Sequence, residues 1–267
     1  MNFSGLRVFT LVICAATLFS LVGMGHTVAE LEAIATDEFV PEISAAAGIA
    51  LASDYAESKT TAELETLAAT GATIGLRTAA SQALSIVYRD KTEEELTSIL
   101  TGTADPMIRA AAIGPIQEYL ITTTSEEEDF VLSDYLKELA TTGETHEMRL
   151  AAAKAYYFVT RGDLEATSLA EQARENDSEE LAYAAGAALA GFYLSFNPKT
   201  QAELEELAIN GESEGLRVAG GIALGTLLIN SDLTAQDLQN TLLSITGTKS
   251  AEYREAYKAA LTKRFSS

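Results

Sequence analysis

The stretch TTAELETLAATGATIGLRTAASQALSIVY, Thr60 to Tyr88, decides the fold, because it repeats TVAELEAIATDEFVPEISAAAGIALASDY, Thr27 to Tyr55, without a gap at an offset of 33 residues. Ala62-Glu63-Leu64-Glu65 falls on Ala29-Glu30-Leu31-Glu32, and Ala83-Leu84 falls on Ala50-Leu51. Followed down the chain, the anchor leucine recurs as Leu31, Leu64, Leu96, Leu136, Leu169, Leu204 and Leu238, at spacings of 33, 32, 40, 33, 35 and 34. A period of this size marks an array of supersecondary units, and there are seven. The one long spacing contains an insertion, Thr122 to Asp129.

Each unit is punctuated as two helices. Thr27…Glu30, Thr60…Glu63, Thr92…Glu95 and Thr200…Glu203 are capping boxes, with Thr234…Asp237 a shorter variant; the Thr hydroxyl and the acid each satisfy an orphan N–H of the first turn. The pairs Leu64/Leu67, Leu96/Ile99, Leu136/Leu139 and Leu204/Leu207 mark the buried stripe of a short first helix. Gly71, Gly143 and Gly211, each seven residues after its anchor leucine, are expected to end that helix in a left-handed cap, with Asn176 in the same place in the fifth copy. A second helix opens near Arg77, Arg109, Arg149 and Arg217 and continues through Ala79-Ala80, Ala111-Ala112, Ala151-Ala152 and Ala219-Gly220. No hairpin buries its apolar stripe alone, so stacked neighbours supply the core, and the expected fold is an all-α solenoid of about seven helical hairpins.

Composition agrees. The chain has 267 residues, 47% of them hydrophobic, with 4 Pro and no Trp, and it shows no alternating strand pattern bounded by tight-turn dipeptides. A formal charge of −21 argues against nucleic acid and against anionic lipid headgroups, whose binding relies on neutralising phosphate.

Before Glu30 the only charged residue is Arg7, and a 17-residue apolar stretch, Val8 to Met24, follows it. This reads as a secretory signal over residues 1–25, cut before His26, or else as an uncleaved anchor; either places the body, residues 26–267, outside the cytoplasm. Cutting before His26 rather than Glu30 keeps Thr27 as the first cap. The single cysteine, Cys14, lies in the leader, so disulfides and thiolate metal sites are not expected in the body.

The run Gly71…Leu76-Arg77-Thr78-Ala79-Ala80…Ala83-Leu84 and its echo Gly211…Leu216-Arg217-Val218-Ala219…Ala223-Leu224 resemble the second-helix signature of HEAT-like repeats, in particular the short class also found in phycobilisome lyases. The resemblance covers the body at varying quality. It implies a right-handed α-α superhelix used for protein binding, and it does not imply lyase activity. The chain departs from the pattern in its period, which is shorter than the usual ~40 residues, and in lacking the Asp that precedes the Arg. One stretch, Ala155-Tyr156-Tyr157-Phe158…Gly162-Asp163-Leu164-Glu165-Ala166, looks more like a tetratricopeptide repeat.

No catalytic, cofactor or metal constellation stands out. His26 and His146 are the only histidines, and neither has a triad or metal partner at a recognisable spacing. Glu126 to Asp129 and Asn176 to Glu180 concentrate carboxylates but lack the spacing that wraps a calcium ion, and read as solvated loops. The recurring Arg77, Arg109, Arg149 and Arg217 form a ladder that either binds anions or pairs with acids and helix-end carbonyls, and Ser44 and Ala182 replace the Arg in two copies. Tyr156, Tyr157, Phe192 and Tyr193 are the candidate partner contacts, against core packing as the plainer role. Lys249, Arg254, Lys258, Lys263 and Arg264 make the last copy basic, as a polar cap or as an end that meets an acidic body head to tail. The functional expectation is a non-enzymatic exported scaffold for a protein or peptide, without cofactor; the alternatives are an extracellular hydrolase using acidic residues and a membrane-tethered spacer.

Overall fold

A computed structural model describes residues 26–37, 39–102, 105–123, 132–160, 163–176, 178–245 and 250–267. The leader with Cys14, the acidic insertion Glu126 to Asp129 and the turn containing Lys249 lie outside the described residues. Within them the chain is all helical, in seven hairpins. The first is α1 (Val28–Ala35) with α2 (Pro41–Ala50), prolonged by α3 (Ala52–Ser58); the second is α4 (Thr61–Thr70) with α5 (Ile74–Val87). There follow α6 (Glu93–Gly102) with α7 (Pro106–Thr123), α8 (Leu132–Thr142) with α9 (His146–Thr160), and α10 (Ala166–Glu175) with α11 (Glu179–Ser195). The last two are α12 (Gln201–Asn210) with α13 (Glu214–Ile229), and α14 (Ala235–Ser244) with α15 (Ala251–Phe265).

The punctuation read from the sequence is what starts these helices. All five boxes form, and in each the acid accepts from the threonine N–H while the threonine oxygen accepts from the acid's N–H. Every anchor leucine is buried. Its deeper partner is the residue four places on, such as Ala68, Leu100, Ala140 or Ala208, whereas Leu67, Ile99, Leu139 and Leu207, three places on, sit half-buried at the edge of the core. Where that residue is alanine, as at Ala68, Ala140 and Ala208, the second helix can approach closely.

The glycine caps differ from expectation. Gly71 and Gly211 have φ of −54° and −53°, not the left-handed conformation, and Asn176 is extended as well. Space, not φ, excludes a side chain: a Cβ on Gly71 would lie 2.6 Å from the Leu67 carbonyl oxygen and 3.0 Å from the Arg77 Cγ. Asn176 is tolerated in the hairpin that has Ala182 in place of the arginine.

Second helices pack on one another in succession, from α2 through α5, α7, α9, α11 and α13 to α15, and α15 packs back onto α2. An open superhelix would leave the outer sides of the first and last hairpins bare; here each covers the other, and His26 meets the Phe265 ring edge-on at 5.1 Å. Each first helix packs on its own second helix, and first helices make no comparable contact with one another, so they form the wider, outer layer. Alanine and glycine on the inner helices make that layer narrow, and a turn of about 50° per hairpin closes seven of them. Seven axes spaced ~9 Å apart lie on a circle about 10 Å in radius. The face of each second helix that its neighbours and its own first helix leave uncovered turns towards the middle of this ring, and the space it surrounds is called the bore below.

Candidate functional site

The ladder arginines join one hairpin to the next. Arg77 Nη2 lies 3.6 Å from Asp105, Arg109 Nε 3.1 Å from Glu147, Arg149 Nη2 2.8 Å from Glu180, and Arg217 Nε 3.7 Å from Glu252. Arg254 continues the series across the closure, its Nη2 donating to Glu42 Oε2 over 2.6 Å. Several guanidiniums also cap the first helix of their own hairpin: Arg77 donates to Ala68 O, Arg149 to Gly143 O, Arg217 to Gly211 O and Arg254 to Ile245 O. This charge is spent inside the fold. Burial pushes the Glu180 carboxyl up, but its own N–H, Arg149, His146 and Ser178 more than offset that and hold it below the ordinary value. Arg254 holds the Glu42 carboxyl low in the same way.

The sequence marked Arg254 only as part of the basic end and not as a rung of the ladder, because it follows its anchor Leu238 by 16 residues, where the other four arginines follow theirs by 13. The two copies without an arginine show the complementary change. Ser44 precedes a hairpin whose acid position is Gly75, and Ala182 precedes one where it is Gly215. There the helices close to backbone contact: a Cβ on Gly48 would lie 2.1 Å from Gly75 O, and one on Gly186 2.0 Å from Gly215 O. Ser44 and Thr73 hydroxyls take over the capping of Ala35 O, and Ser213 caps Ala173 O.

The candidate aromatics separate. Tyr157 is buried and donates to Gln172 Oε1 over 2.6 Å, and Tyr156 is half-buried against it, edge to face at 4.9 Å. Phe192 and Tyr193, near the end of α11, reach the surface. Phe192 rests on Phe196, which is 81% exposed, and Lys199 Nζ sits 4.9 Å above the Tyr193 ring. Tyr193, Lys199 and Arg174 line an open groove of about 580 Å³ together with Leu207, Asn210 and the carboxylates Glu203, Glu206 and Glu212. Arg174 is paired with the exposed Glu212 at 3.1 Å. Sequence reasoning missed Arg174 and Lys199, which only the fold brings to Tyr193.

The bore is lined by the one face of each second helix that neither its neighbours nor the outer layer cover. Five residues after the ladder position, this face carries Ile49, Gln82, Gly114, Lys154, Ala187, Ile222 and Ala259, none of them buried. Four residues further on it carries Ile86 and Phe158, 39% and 43% exposed. Towards the end where the second helices begin it is acidic, with Glu179, Glu214 and Glu255.

Among the described residues no three His, Cys, Asp or Glu side chains are placed to hold a metal ion, and no helix is long and apolar enough to cross a membrane. The His146 Nδ1 lies 3.0 Å from Glu180 Oε1, within the ladder, and His26 lies at the closure. No protein-family model, curated protein or solved structure matches the chain.

Proposed function

We propose that the protein is a non-enzymatic, exported helical-repeat scaffold that binds a protein or peptide segment in the groove between its fifth and sixth hairpins. On this reading it is a closed variant of the HEAT-like array, with the partner surface in this groove. One observation carries the reading: Tyr193, a rigid aromatic of the type that dominates binding energy, lines this groove with the cations Lys199, whose Nζ lies 4.9 Å from its ring, and Arg174, in a chain of net charge −21. A segment presenting an apolar side chain beside a carboxylate fits that pairing. Export rests on the leader, residues 1–25.

The hydrolase alternative gains nothing from the site. Every carboxyl with a shifted pKa among the described residues is held low, by a helix cap or by an arginine, and a general acid needs the opposite shift.

The test is capture from an extracellular or periplasmic fraction with the purified protein and with Tyr193→Ala as baits. A partner retained by the first, released by moderate salt and lost from the second at unchanged thermal midpoint is the expected result. A monodisperse protein that captures nothing, or a partner held equally by both baits, would overturn the reading.

A further inference from the structure

We propose that the bore is a second binding site, for a single-chain amphiphile with a carboxylate head, of the fatty-acid class, held by Lys154. Lys154 Nζ sits 5.5 Å over the Tyr183 ring and has no carboxylate within ion-pair distance among the described residues, in a chain where acids outnumber bases 39 to 18. The six residues at its own level of the bore are apolar, small or amide, so the amine is the only charge there. Desolvation by the surrounding wall lowers the pKa of this ammonium, as burial does to a cation without a carboxylate beside it. The other basic side chain placed near this level, Lys258, already pairs with Glu255.

Shape and charge then fix the orientation. Glu179, Glu214 and Glu255 repel an anion at the mouth where the second helices begin, and Tyr183 closes on Lys154 from that side. On the other side Ile222, Ile86 and Phe158 hold exposed apolar surface inside the bore, where a hydrocarbon chain leaves water. The carboxylate meets the amine at mid-depth and the tail runs towards Ile86 and Phe158.

Dodecanoate is titrated into the purified full chain by calorimetry, beside its methyl ester and dodecylamine, which keep the chain and remove or invert the charge. Saturable one-to-one binding of dodecanoate, at least about tenfold tighter than either analogue, is expected. Lys154→Met should lose about that factor for dodecanoate and leave the ester unchanged, and Lys154→Arg should retain most of the affinity. Ile222→Glu, which sets a carboxylate at the same level, should abolish dodecanoate binding and serves if Lys154→Met does not fold. Absence of saturable binding, equal affinity for acid and ester, or a Lys154→Met protein that folds and binds dodecanoate unchanged would overturn the proposal.

Discussion

Arg254 and Glu42 stand 212 residues apart in sequence, and their side chains meet in a two-point ion pair, both Nε and Nη2 donating to the carboxylate. The same guanidinium caps Ile245 O, as Arg217 caps Gly211 O within the array. The closure is therefore built like an internal interface. Of the basic residues of the last hairpin, Arg254 makes this head-to-tail contact within one molecule, whereas Arg264 caps the Ile229, Ser231 and Leu233 carbonyls and Lys258 pairs with Glu255.

Breaking that pair should loosen the whole ring. Both side chains are about a quarter exposed or less, so Arg254→Ala or Glu42→Ala should cost about 1–3 kcal/mol, seen as a fall of roughly 2–4 °C per kcal/mol in the thermal midpoint. The double variant should cost less than the two single ones added together, because one contact is lost once. The exposed pair Arg174–Glu212 is the control and should contribute little. Additive losses at Arg254 and Glu42 would mean that the two hairpins do not meet in solution.

The closure should also fail on acidification. Arg254 holds the Glu42 carboxyl below its ordinary value, so the folded state keeps this carboxylate ionised at a pH where the unfolded chain has begun to protonate. The pair's contribution is complete above the unfolded value of 4.5 and disappears as pH falls through the lower folded value. The difference in thermal midpoint between the native protein and Glu42→Gln should be constant from pH 7 to about 5 and shrink towards zero below pH 4. A difference that persists at pH 3 would assign the stabilisation to packing.

Two glycines in second helices should respond in opposite senses to the same substitution. A Cβ on Gly75 would meet Ser44 Oγ at 2.3 Å and Ala35 O at 2.4 Å, so Gly75→Ala must push two helices apart and should cost at least about 2 kcal/mol. Gly191, in α11, has nothing within 4 Å of such a Cβ. Gly191→Ala gains helix propensity alone and should stabilise by about 0.5–1 kcal/mol. Urea unfolding of the two variants separates them; equal effects would contradict the backbone contact at Gly75.

Much of this fold was legible because the repeat writes its local signals over and over, the anchor leucine in all seven copies and the threonine box in five. The threonine caps, the anchor leucines and the ladder positions each depend on residues within a few places of one another. What stayed hidden depends on neighbours in space. The acid that meets each arginine belongs to the next hairpin, 28 residues on for Arg77 and 38 for Arg109, so no fixed spacing reveals it. Closure depends on the summed turn of seven interfaces, which no single repeat encodes. Gly75 and Gly215 read as ordinary helix residues until Ser44 and Ala182 are seen across from them. The groove at Tyr193 takes its lining from two hairpins, and the amine at Lys154 meets the Tyr183 ring of the next hairpin.

Burial within one ladder pair predicts an asymmetry. The Glu180 side chain is 6% exposed and that of Arg149 29%. Arg149→Met strands a carboxylate in the interface with His146 and Ser178 as its remaining side-chain partners, and leaving a buried charge underpaired should cost about 2–4 kcal/mol at neutral pH. Glu180→Gln leaves a guanidinium that reaches water and still donates to Gly143 O at 3.0 Å, and should cost about 1 kcal/mol. Adding Glu180→Gln to Arg149→Met should then restore part of the loss, because the amide carries no charge to desolvate. Chemical denaturation of the three variants gives the order directly. If Glu180→Gln proved the costlier change, the carboxylate would be acting chiefly as an acceptor for the first turn of α11, and the ladder contact would be secondary to that cap.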